Sequence, residues 1–169
     1  MGSASKVIEP ARAGGEPLIA RASATEARAQ AIWIASMQPW RGLGYQAPPL
    51  ARWLARAATR DEVWVARARP RGPIEGIAVV QGGFLLGAFV ALLAVRPSAA
   101  GRGVGRALMA RVEARTFAQR RWLYVSFDRA NQPARRFYRR QGFVRVGVLP
   151  DLIKQGSVEV LLRKGRPGV

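Results

Sequence analysis

The chain has 169 residues, 49% of them hydrophobic, which suits one globular domain with a real core and leaves too little for a second. Its 28 Lys and Arg against 10 Asp and Glu give a formal net charge of +18, almost all from arginine, since lysine occurs only at Lys6, Lys154 and Lys164. Cysteine and histidine are absent, which excludes thiolate nucleophiles, disulfides, zinc sites built on those residues and Ser-His-Asp triads. No metal site is expected, and proton transfer falls to Tyr, Asp, Glu, Lys or water.

The opening MGSASKVIEP has no apolar h-region, so the expectation is a disordered leader over residues 1–15 on a cytoplasmic protein, followed by a single domain over 16–169. Pro17 to Ala22 reads as a first strand. Ser23-Ala24-Thr25-Glu26 is a capping-box pattern that starts a helix running through Ile32, Trp33 and Ile34 toward Met37, where Pro39 ends it. Gln38 to Pro49 reads as a loop whose large aromatics, Trp40 and Tyr45, either line a pocket or cap the core. Leu50, Trp53, Leu54 and Ala57 then fall at the spacing of a short helix, and Glu62 to Ala68 alternates as a strand.

Ile77 to Val95 is nearly continuous apolar sequence of about the length that spans a membrane. Gln81-Gly82-Gly83 inside it is a turn signal, and the flanking runs suit two buried strands, Ile74 to Val80 and Phe84 to Val95. No membrane association is expected. Helix (Val104 to Gln119), strand (Trp122 to Phe127), helix (Pro133 to Gln141) and strands Phe143 to Val148 and Val158 to Arg163 complete an α/β (α+β) pattern.

Two segments carry chemistry. After the apolar strand, Val95-Arg96-Pro97-Ser98-Ala99-Ala100-Gly101-Arg102-Gly103-Val104-Gly105-Arg106 makes a glycine-rich turn into a helix start. Free N–H groups and the helix dipole attract anions there, and Arg102 and Arg106 add charge. The Gly-Lys-Ser/Thr ending of a Walker loop is missing, and no Gly-x-Gly-x-x-Gly comes after the first strand. The second segment is Asn131-Gln132-Pro133-Ala134-Arg135-Arg136-Phe137-Tyr138-Arg139-Arg140-Gln141-Gly142-Phe143, in which Asn131 can cap a helix and Gly142 can end it.

In order and spacing these segments resemble the two motifs of the GCN5-related N-acetyltransferases. Gly103 and Gly105 match the family's Gln/Arg-x-x-Gly-x-Gly/Ala pattern, with Ala100 departing at its first position; Asn131 to Phe143 matches Asn-x-x-Ala-x-x-Phe-Tyr-x-x-x-Gly-Phe in full. The resemblance implies a mixed, mostly antiparallel twisted sheet flanked by helices, with strands four and five splayed. It implies acetyl-CoA as donor cosubstrate. Leu93, Ala94 and Val95 would meet its pantetheine, Gly101, Arg102, Gly103, Val104, Gly105 and Arg106 its pyrophosphate, and Asn131, Arg135 and Tyr138 would complete the cofactor contacts. Tyr138 would also protonate the departing thiolate after direct amine attack in a ternary complex.

The general base is not marked in the sequence. Strand Phe84 to Val95 carries no acid, Ser126 stands where relatives that modify ribosomal-protein N-termini have one, and the candidates are Asp128, Glu159, Glu75 or water. The alternatives to an N-acetyltransferase are a non-turning acyl-CoA-binding regulator and a basic nucleic-acid-binding module. Against the last, the arginines are dispersed, with no zinc-finger, RNP-type or basic-heptad pattern, and a polyphosphate cofactor or a surface that uses Arg for Lys is an alternative account of the excess. The acceptor is an amine on a small molecule or peptide, expected to be otherwise neutral or anionic in so basic a field. A homodimer is compatible with the sequence.

Overall fold

The computed structural model describes residues 15–168, so the leader expected over residues 1–15 lies, but for Gly15, outside the described residues. Seven strands form one sheet in the order β1-β2-β3-β4-β5-β7-β6: β1 (Leu18–Arg21), β2 (Glu62–Arg67), β3 (Gly76–Phe84), β4 (Gly87–Val95), β5 (Trp122–Asp128), β6 (Val144–Pro150) and β7 (Val158–Gly165). Every pairing is antiparallel except β4 with β5. The mixed, mostly antiparallel sheet expected from the sequence is therefore present.

Period-two alternation divides the side chains between two cores. Trp64, Ala66, Ala78, Val80, Ala88 and Val90 pack under α4 (Val104–Phe117) and α5 (Gln132–Arg140), whereas Val63, Val65, Ile77, Val79, Leu92 and Ala94 pack under α1 (Ala24–Ala29), α2 (Ala31–Ser36) and α3 (Ala47–Arg60). Along β4 the alternation breaks between Val90 and Leu92. The register shows why: Val80 opposes Val90 and Val79 opposes Leu92, leaving Ala91 as an unpaired extra residue. A bulge of this kind bends its strand and re-aims the residues beyond it. Pairing with β5 stops at the same point, the last partners being Val90 and Val125, and from there the strands diverge.

Three local expectations need correction. The first helix is interrupted at Gln30, whose side-chain Nε2 donates to the Glu26 carbonyl (2.7 Å) while its Oε1 accepts from Trp33 Nε1 (2.9 Å); its capping box at Ser23 is as expected. The loop over Gln38 to Pro49 ends early, because α3 begins at Ala47 and takes Pro48 and Pro49 into its first turn, where a missing N–H costs nothing. The expected short helix thus runs 14 residues.

The β3–β4 turn is also displaced. Gly82 and Gly83 lie within β3, with Gly83 (φ 80°) at a second register shift, and the chain reverses at Leu85 and Leu86, whose φ values are 42° and 61°. The apolar stretch Ile77 to Val95 is this hairpin. Among the described residues no helix is long and apolar enough to cross a membrane.

Two adjacent leucines at positive φ carry a conformational cost of about 1–2 kcal/mol each in the left-handed region. Leu86 recovers little, being 88% exposed. Replacing Leu85 with Asn and Leu86 with Gly should stabilise the fold by about 1 kcal/mol, raising the melting temperature by roughly 2–4 °C. Calorimetry checks this, and a lower melting temperature would show that the Leu85 side chain matters more than the turn.

Candidate active site

The divergence of β4 from β5 leaves the second half of β4 paired with β3 but without a neighbour on the β5 side among the described residues. Arg96 N–H bonds the Glu75 carbonyl at 2.8 Å, in phase with the pairs Ala94–Ile77 and Leu92–Val79. In an antiparallel ladder the intervening residues point their N–H and C=O groups the other way. Leu93 and Val95 therefore offer main-chain donors and acceptors to the gap, while their side chains pack toward the α4 core. Of the three residues assigned to pantetheine, Ala94 differs: its main chain is turned toward β3.

Immediately beyond, a short 3-10 turn (Pro97–Ala99) leads into Gly101 (φ 77°) and Gly103 (φ 79°), the latter the N-cap of α4. Among the described residues, the N–H groups of Gly101, Gly103, Val104, Gly105 and Arg106 take no partner from the chain. No acidic residue occupies the first turn of α4. Convergent free N–H groups at a helix N-terminus suit a phosphate group. Gly105 closes the assembly: a Cβ there would stand 3.4 Å from the Phe137 ring of α5 and 3.6 Å from Val95. The end of β4, the start of α4 and α5 thus meet at one place.

The arginines divide. Arg106 and Arg135 are exposed, and Arg135 lines a cavity with Asn131. Arg102 instead pairs with Glu75 at 2.6 Å, which also commits Glu75, one of the base candidates, to an ion pair. Asn131 caps α5, its Oδ1 accepting from Ala134 N–H at 3.1 Å. Tyr138 is buried among Phe127, Phe137 and Phe143, at ring-centroid separations of 6.0, 5.2 and 5.6 Å. Burial pushes its phenol far above the ordinary tyrosine value, so it keeps its proton throughout the useful pH range. Its hydroxyl makes no hydrogen bond among the described residues, yet it is not one of the sealed, unpartnered polar atoms.

On the opposite face of the sheet, Tyr124, Ser126 and Asp128 alternate along β5, and register sets Glu159 of β7 directly across from Asp128. Asp128 ends β5, its Oδ1 accepting from Ala130 N–H in the following turn at 2.7 Å. Glu159 is 4% exposed, the sole acidic residue buried among those described. Two cavities adjoin this face. One of about 1090 Å³ is lined by Gln38, Leu43, Asp128, Asn131, Arg135 and Lys154, among others. The other, about 640 Å³, is lined by Trp40, Tyr45, Trp53, Ala91, Leu152 and Ile153, among others. Trp40 fits both sequence readings, since it lines the cavity and packs on the core, whereas Tyr45 fits the pocket reading. Sequence reasoning did not reach Leu152 and Ile153; the signal is a pair of large aliphatics in an otherwise polar loop, 53% and 42% exposed.

A mixed sheet opened at a β4 bulge, with unpartnered main-chain N–H groups at its mouth and an aromatic helix behind, is an α/β architecture of the GNAT type. Residues 59–145 match the family model described as Acetyltransferase (GNAT) domain. The chain belongs to this family, the GCN5-related N-acetyltransferases. Among solved structures it is similar to a GNAT-family acetyltransferase from Bacillus cereus (14% identity, 90% of this chain and 99% of that one, TM-score 0.72). It is also similar to the ribosomal-protein-S18-alanine N-acetyltransferase of Escherichia coli (17% identity, 91% and 96%, TM-score 0.70). A third is a Salmonella typhimurium protein solved with its cofactor acetyl-CoA (16% identity, 90% and 95%, TM-score 0.70). These likenesses establish the fold. No curated protein matches the chain.

The cradle's dependence on positive φ at Gly103 can be tested. A Cβ there would meet nothing within 4 Å, so Gly103→Val should fold while straining the turn. Affinity for coenzyme A, measured by calorimetry, should fall at least about tenfold, with a stability loss of about 1–3 kcal/mol. Unchanged affinity in a folded variant would make the turn purely structural.

Proposed function

We propose that the protein is an acetyl-CoA-dependent N-acetyltransferase in which the acceptor amine attacks the donor directly. The supporting observation is the continuity of the open β4 edge at Leu93 and Val95 with the N–H groups of Gly101, Gly103, Val104, Gly105 and Arg106, which take no partner among the described residues. Those main-chain groups would hold pantetheine and pyrophosphate respectively, with Arg106, Asn131 and Arg135 alongside; Arg102 would serve only if released from Glu75. Bound there, acetyl-CoA supplies a thioester as acyl donor.

Tyr138 is the proton donor to the leaving sulfur. Its packing fixes the ring, its raised pKa keeps Oη protonated, and the hydroxyl lacks a competing partner among the described residues. The acceptor enters from the opposite face, through the cavity walled by Trp40, Tyr45, Leu152 and Ile153. Those walls favour an amine whose remaining group is apolar and uncharged, in keeping with the net charge of +18. An arylalkylamine such as 2-phenylethylamine should be acetylated faster than spermine. Preference for spermine would overturn this reading of the acceptor.

Two measurements test the activity itself. Acetyl-CoA should raise the melting temperature by mass action, and thiol release should depend on added amine; binding without release would favour a regulator. Tyr138→Phe keeps the ring packing and should lower kcat by about 10²- to 10⁴-fold with little change in melting temperature or cofactor affinity. Near-normal turnover in that variant would remove Tyr138 from the acid role.

A further inference from the structure

Building on the transferase reading, we infer that Glu159 is the general base, a carboxylate supplied from β7 to the place left without one by Ser126 on β5. Ser126 is the first β5 residue past the last β4 partner, Val125, so it stands at the vertex where the strands part. Glu159 lies diagonally across from it, because Ser126 opposes Leu161 and Asp128 opposes Glu159 on the same face. A diagonal neighbour in an antiparallel pair is within reach of a long side chain.

The other candidates are committed elsewhere. Glu75 is held by Arg102, and Asp128 accepts the Ala130 N–H that shapes the turn into α5. Glu159 has no salt-bridge partner among the described residues although it is 4% exposed. An unpaired buried carboxylate costs stability, and sites retained at such a cost are typical of function.

The groups facing it are few. Asp128 lies across on β5, Tyr45 approaches from the loop before α3, Ser126 offers a hydroxyl, and β6 presents Leu149 opposite; Arg129 and Lys154 line the cavity that Asp128 shares. Burial raises the Glu159 pKa and Asp128 adds to that, while the Ser126 hydroxyl opposes it. The shift moves the carboxyl toward the range in which a base working near neutrality is effective.

Protons balance across the reaction. Glu159 takes a proton from the acceptor ammonium, breaking N–H and forming O–H, and the freed nitrogen pair bonds to the acyl carbon as its bond to sulfur breaks. Tyr138 gives its proton to the sulfur, and the second proton lost by the nitrogen restores the phenol. One proton leaves from Glu159 to water.

The test compares wild type, Glu159→Gln and Asp128→Asn, using acetyl-CoA and 2-phenylethylamine across pH 6 to 10, about the span that separates charged from neutral amines. Glu159→Gln should lose on the order of 10²-fold in kcat at pH 7, and the deficit should narrow at least about tenfold by pH 10 as the amine arrives neutral. Acetyl-CoA affinity should be unchanged. Because a raised carboxyl pKa contributes stability only below the titration and loses it as pH rises, Glu159→Gln should melt no lower than wild type at pH 8.

A second readout needs no turnover. In protein carrying carbon-13-labelled glutamate, the resonance missing from Glu159→Gln should titrate above the ordinary carboxylate range, and Asp128→Asn should move it down. Near-wild-type kcat in Glu159→Gln, a deficit independent of pH, or an ordinary titration unmoved by Asp128→Asn would overturn the assignment. Failure of wild type to bind acetyl-CoA would instead overturn the transferase reading on which it rests.

Discussion

One extra residue organises this molecule. With Ala91 unpaired, β4 can keep its ladder with β3 only by bending, and a bent strand cannot track β5. The gap that results would ordinarily be an unfavourable place, since it exposes main-chain groups of an otherwise buried strand. The two cores keep it open. α4 covers β2 through β5 on one face and α1 to α3 cover the other, while the pairing of β4 with β5 ends at Val90 and Val125. The sheet is thereby held as one body with an unfinished seam.

The seam also explains why the glycine-rich turn stands where it does. The chain leaving β4 must reach α4, which packs against the same strand it has just left, and the reversal is made in a few residues by positive φ at Gly101 and Gly103. The first N–H groups of α4 have no partner within the helix, as at any helix start, and Gly103 as N-cap brings no side chain to cap them. Gly105 then permits the close approach of Phe137, so the packing of α5 and the unpartnered start of α4 share one small residue.

Much of this was legible in the chain. The capping box at Ser23, the seven strands and the paired motifs around Gly103 and Asn131 each carry a local signature, because caps, turns and alternation are short-range effects. The misreadings have equally local causes. Gly82-Gly83 advertises a turn more loudly than Leu85-Leu86, although the leucines make it and the glycines serve a bulge and the packing of Arg120. Nothing around Ala91 marks a bulge, since both flanks are aliphatic. The choice among Asp128, Glu159 and Glu75 was out of reach for another reason: it depends on cross-strand register between segments some thirty residues apart and on an ion pair spanning 27 residues.

β7 is hydrogen-bonded on both sides, to β5 and to β6, and α5 rests on the strands of that same half of the sheet. The residues that would handle protons, Tyr138 and Glu159, therefore ride together on one jaw. The main-chain groups that would grip phosphate and pantetheine ride on the other, with β4 and the start of α4, while Asn131 and Arg135 stay with α5. Small opening and closing movements of the seam would change how tightly a long flexible donor is gripped while leaving the separation of acid from base almost untouched. Loading and release would in this way be mechanically decoupled from the geometry of proton transfer.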